Sequence, residues 1–102
     1  MIPEKITIGG HEISIKYEET CLLEPKYVGR IDMSQNTIML QKNIAESYTE
    51  EVLIHEIIHG FFEATGIEEM IDDNKKNELY VQSLSNIFWR FLKDNTNFFE
   101  CK

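Results

Sequence analysis

Val52-Leu53-Ile54-His55-Glu56-Ile57-Ile58-His59-Gly60-Phe61-Phe62 is an apolar run that carries two histidines and a glutamate in the pattern H-E-x-x-H. On a helix, residues four apart lie one above the other on the same face, so His55 and His59 can present two imidazoles to one metal ion. Glu56 is rotated about 100° from His55 and sits beside the pair, where it can serve a metal-bound water without taking a coordination position. Two imidazoles, a carboxylate and one open position make zinc the expected metal, and zinc brings the pKa of bound water to about 7. Shuffling this composition yields the pattern in roughly one chain in a hundred, so its setting matters. Ser47-Tyr48-Thr49-Glu50 reads as a capping box and Thr49-Glu50-Glu51 as a cap with acids in the first turn. Gly66 follows the last periodic residue as a helix-ending glycine. A helix over 47–66 is therefore expected, with the motif in its middle.

A chain of 102 residues supports one domain and one core. Its hydrophobic fraction of 42% is that of a globular protein. The net charge of −8, with no basic cluster, argues against a nucleic-acid surface. No apolar run approaches the ~20 residues of a membrane span. Met1-Ile2-Pro3-Glu4-Lys5 lacks the layout of a secretory signal, so a cytoplasmic setting is expected. Cys21 and Cys101 are far apart without C-x-x-C spacing and are expected to be free thiols there.

Upstream of the motif the period changes to two. Lys5 to Ile8 and His11 to Tyr17 alternate, and Gly9-Gly10 between them signals a two-residue hairpin. Tyr27 to Met33 alternates again, Ser34-Gln35-Asn36 marks a turn, and Thr37 to Gln41 reads as a short strand covered on both faces. Residues 18–26, with Pro25, read as a loop. Residues 1–46 are thus expected to form a small antiparallel sheet of three to four strands, one edge lying free near the site. His11 falls at the hairpin, where a solvated turn residue accounts for it better than a metal ligand.

Downstream, Asp72, Asp73 and Asn74 offer caps for a second helix, and the third-ligand helix is placed at 73–94. Leu79, Leu84, Ile87, Phe88, Phe91 and Leu92 form a broad apolar stripe on it. Phe98 and Phe99 are candidates to dock the tail, and Trp89 with Phe91 offers a face for dimerisation. Two histidines need a third protein ligand. Candidates are Glu63, Glu68, Glu69, Asp72, Asp73 and Glu78. Glu78, Gln82 and Ser85 line up along the border of the stripe, where a side chain points sideways into a neighbouring helix. Glu78 is the preferred ligand and Asp73 the next choice. Gln82, one turn on, is expected to hydrogen-bond a ligand histidine and fix its orientation.

His55-Glu56-Ile57-Ile58-His59, followed after 18 residues by Glu78-Leu79-Tyr80-Val81-Gln82-Ser83-Leu84-Ser85, resembles the gluzincin metallopeptidases. It is most similar to the small phage and mobile-element proteins related to the ImmA/IrrE group, which carry E-x-x-A-polar-x-F-A on the helix after the motif. The N-terminal strands, including Gly29-Arg30-Ile31-Asp32 before the motif helix, resemble the same proteins. The resemblance implies an α+β, minimal zincin-like core with His55, His59 and Glu78 as zinc ligands and Glu56 as catalytic base. It implies a peptidase acting on an intracellular protein, such as a repressor of a mobile element. Thermolysin-like enzymes carry an acid where this chain has Gln82. They also use a His, Tyr or Arg against the oxyanion; no histidine follows His59, so Tyr48, Tyr80 and Arg30 are the candidates here. The competing expectation is a zinc-binding protein-interaction module without turnover. Partners are a protein or peptide, with no nucleic acid or membrane; the oligomeric state is open.

Overall fold

The computed structural model describes residues 2–19 and 28–97. Cys21, Pro25, Tyr27, Phe98, Phe99 and Cys101 lie outside them, and so do the expectations placed on those residues. The described chain is α+β. Four strands, β1 (Lys5–Ile8), β2 (His11–Glu18), β3 (Gly29–Asp32) and β4 (Thr37–Gln41), precede helices α1 (Glu46–Thr65) and α2 (Asn74–Asp94). A short 3-10 turn at Ile67–Met70 joins the helices. No helix among the described residues is long and apolar enough to cross a membrane.

The sheet order is β1-β2-β4-β3. Gly9 and Gly10 both have positive φ, 56° and 84°, and close the β1–β2 hairpin with Ile8 opposite His11. This is the backbone twist that a two-residue hairpin requires. The β3–β4 hairpin turns through Asn36, in the left-handed region at φ 51°. There Asp32 accepts from the Ser34 amide at 3.0 Å and from its hydroxyl at 2.6 Å.

The sheet is mixed rather than wholly antiparallel, because β2 and β4 pair in parallel from Ser14↔Thr37 to Glu18↔Gln41. Strand β4 is the most apolar strand and takes an interior place, its Ile38 and Leu40 fully buried. Its other face, with Thr37 and Met39, is only half-buried, so it is not covered on both sides as expected.

Helix α1 lies between the sheet and α2. One side packs Val52 and Leu53 on Ile8, Ile13, Ile15, Ile38 and Leu40. The other packs Ile58 and Phe62 on Val81 of α2. Two glycines let α1 and β3 approach closely. A Cβ on Gly29 would stand 2.6 Å from Val52 Cγ1, and one on Gly60 2.9 Å from Ile31 Cδ1.

The helix begins at Glu46, so Ser47 and Thr49 are not caps as the sequence suggested. Thr49 lies inside the first turn and donates its hydroxyl back to the Ala45 carbonyl at 3.1 Å. The end is as expected: Gly66 takes φ 81°, and its N–H reaches the Glu63 carbonyl. Helix α2 starts with Asp73 as cap, its carboxylate accepting from the Lys75 amide at 2.8 Å. Its apolar stripe is wider than one helix can cover. Val81 and Ser85 are buried, whereas Leu79 is 63% and Ile87 61% exposed. Trp89 is engaged within the chain, donating to Glu50 at 3.4 Å.

Candidate metal centre

Helix α1 supplies a row at Glu51, His55 and His59, four residues apart, and antiparallel α2 faces it with Glu78, Gln82 and Asn86. Packing of Ile58 and Phe62 on Val81 sets the distance between the rows. The two imidazoles meet one carboxylate: His55 Nε2 is 2.7 Å from Glu78 Oε1 and His59 Nε2 is 3.1 Å from Glu78 Oε2. The rings stand edge to face with centroids 4.9 Å apart.

All three donor atoms lie within 4.8 Å of one another, and this is the one such group of His, Cys, Asp and Glu among the described residues. Donors about 2.0–2.1 Å from a tetrahedral zinc stand roughly 3.3 Å apart, and the two His–Glu78 separations of 2.7 and 3.1 Å lie near that value. Two imidazole nitrogens and a carboxylate oxygen also match that metal's preferences. Burial and the neighbouring His55 ring hold the His59 pKa below its ordinary value, against the opposing pull of Glu78. That favours the neutral imidazole a metal requires.

Glu56 is 8% exposed and turned toward the sheet. Burial, then the charge of Glu78, pushes its carboxyl up to about 7, with the Ile31 backbone N–H pulling the other way. That N–H is available because β3 is an edge strand. The Gln41 amide donates to the Val28 carbonyl at 2.9 Å, so Val28/Gln41 and Arg30/Met39 are the hydrogen-bonded pairs. The N–H and C=O groups of Gly29 and Ile31 therefore point away from β4, along the free edge and toward the histidines.

The site opens into a cleft with two halves. One, of about 300 Å³, is bordered by Tyr48, Glu51, Gln82 and Asn86. The other, of about 630 Å³, is bordered by Arg30, Glu63, Glu68 and Lys75. His55, Glu56 and Glu78 border both.

The structure thus brings His55, Glu56, His59 and Glu78 together. Asp73 is not a ligand, because its carboxylate caps α2, and His11 stands apart at the hairpin. Glu63 and Glu68 border the cleft without joining the ligand group. Gln82 borders the site, but its amide donates to Asn86 Oδ1 at 3.0 Å, one turn along α2, rather than engaging a histidine. Tyr48 stands at the cleft. Tyr80, two positions past Glu78, is turned about 200° away around α2 and is 50% exposed. Arg30 is paired with Glu18 at 2.9 Å. Glu51 and Asn86 were missed in the sequence, although each stands one helical turn from a residue that was singled out.

Comparison with protein-family models, with curated proteins and with solved structures finds no match. The chemistry of the site therefore rests on its own geometry.

Proposed function

We propose that the protein is a zinc metallopeptidase of the gluzincin type, akin to the small phage proteins related to the ImmA/IrrE group, acting on an intracellular protein. The observation that carries this reading is the convergence of His55, His59 and Glu78, with the buried Glu56 carboxyl beside them. Zinc, when bound there, supplies an acidified water and an electrophile for the scissile carbonyl. His55 and His59 would hold the ion from one helix and Glu78 from the next. Glu56, with a pKa near neutrality, takes a proton from the attacking water and returns it to the leaving amine. An extended substrate pairs with the outward main-chain groups of Gly29 and Ile31 on the edge of β3. Tyr48, at the cleft, is the candidate donor to the developing oxyanion.

Protein purified without added metal is expected to hold one zinc per chain and to cleave members of a generic peptide library. Glu56→Gln should keep the zinc and lose cleavage, while His59→Ala loses both. Cleavage by Glu56→Gln at the parental rate would remove the assigned base.

A second reading, a zinc-held interaction module without turnover, is favoured by the apolar groove of Phe61, Ile67, Leu84, Ile87 and Phe91 away from the metal centre. Stoichiometric zinc without turnover of any peptide would select it.

A further inference from the structure

The smaller half of the cleft has a chemistry of its own. Val28 and Val52 give it an apolar floor, and Tyr48, Glu51, Gln82 and Asn86 form its walls. Gln82 donates to Asn86 Oδ1 at 3.0 Å, and the two amides add no charge to the α2 wall beyond that of Glu78. Glu51 is half-buried and makes no hydrogen bond or ion pair with the described residues. Among the described residues no Lys or Arg borders this half, whereas Arg30 and Lys75 border the other. Glu56 and Glu78 belong to the proposed metal centre, which leaves Glu51 as the one further carboxylate among the described residues that line this half.

The electrostatic complement of a carboxylate facing a cleft is a cation. The floor selects among cations, since Val28 and Val52 suit an aliphatic stem and the Tyr48 ring suits a charged head. Reach agrees as well. Glu51 stands four residues, about 6 Å along the axis, from His55, roughly the length of an extended lysine side chain.

We propose that this half of the cleft is a specificity pocket for a lysine or arginine side chain flanking the scissile bond, with Glu51 as the carboxylate that recognises it. The proposal rests on the peptidase reading of the metal centre.

The test uses peptides that differ at one position, Arg, citrulline or Glu, all N-acetylated so that no terminal amine supplies the charge. Cleavage by the zinc-loaded protein and binding to its Glu56→Gln form, followed by fluorescence anisotropy, are measured in parallel. Arginine should exceed citrulline on the order of tenfold or more in both. Glu51→Gln should collapse that ratio toward one, and Glu51→Arg should invert the preference toward glutamate, an outcome misfolding cannot mimic. A parental ratio near one, or a ratio unchanged in Glu51→Gln, overturns the pocket. If no peptide is cleaved the peptidase reading fails, and the binding arm then decides the pocket alone. An arginine preference lost in Glu51→Gln sustains it, and equal binding of arginine and citrulline overturns it.

Discussion

Glu56 is a carboxyl of ordinary value 4.5 raised to about 7 by burial and by Glu78, and that shift has a sign in stability. Between those two values the folded, metal-free chain keeps a proton that the unfolded chain releases, so stability falls as pH rises through the window. Glu56→Gln removes the penalty. In chelator, the variant should match the parent near pH 4.5 and exceed it by about 3 kcal/mol at pH 8, read from urea denaturation at each pH. His59, with its pKa lowered, acts oppositely: acidification through its ordinary value of 6.5 costs stability. That term is common to both proteins and leaves the difference intact. A difference that does not change with pH would contradict the buried position of Glu56. At this scale the sequence was informative wherever spacing sets geometry. Residues four apart put His55 above His59, and the border of the α2 stripe put Glu78 opposite them. It was uninformative about Gln82, whose amide takes Asn86, one turn along the same helix, because spacing along a helix does not fix a side-chain rotamer.

Among the elements, the approach of β3 to α1 sets the Ile31 N–H against Glu56. Gly29→Ala would drive a Cβ into Val52, a β-branched, buried residue with one comfortable helical rotamer, and should cost about 1–3 kcal/mol with loss of activity. Asp73→Ala separates capping from ligation. It should cost about 1 kcal/mol of stability and leave zinc affinity unchanged. A large loss of zinc in that variant would return Asp73 to the ligand set. Most elements were legible: the Gly9-Gly10 hairpin, the Gly66 helix end and the Asp73 cap follow from backbone freedom and local hydrogen bonding. The parallel β2–β4 pairing was not, because alternation fixes which face a residue occupies and says nothing about which strand becomes its neighbour. The start of α1 was misplaced because Ser47 and Thr49 resemble caps by type, while Thr49 satisfies its hydroxyl within the first turn.

Across the whole molecule, His55 and His59 of α1 meet Glu78 of α2 and tie the two helices through polar side chains. The Ile58, Phe62 and Val81 cluster, with Ile54 and Phe88 packed on it, and Glu50, which accepts from Lys93 at 3.1 Å and from Trp89, also hold α2 to α1. Zinc held by ligands from both helices would add about 4 kcal/mol of stability at a thousandfold excess over its dissociation constant. Chelation should therefore lower Tm and raise amide exchange more in α2 than in β2 and β4. Equal changes in both regions would mean that the metal does not bridge the helices. The most direct measurement is a zinc titration of metal-free parent and Glu78→Gln proteins against a chelating dye. The parent should bind one ion per chain, and Glu78→Gln should bind it on the order of a hundredfold more weakly. Equal affinity in the two proteins, or no zinc binding by the parent, would contradict a centre built from His55, His59 and Glu78.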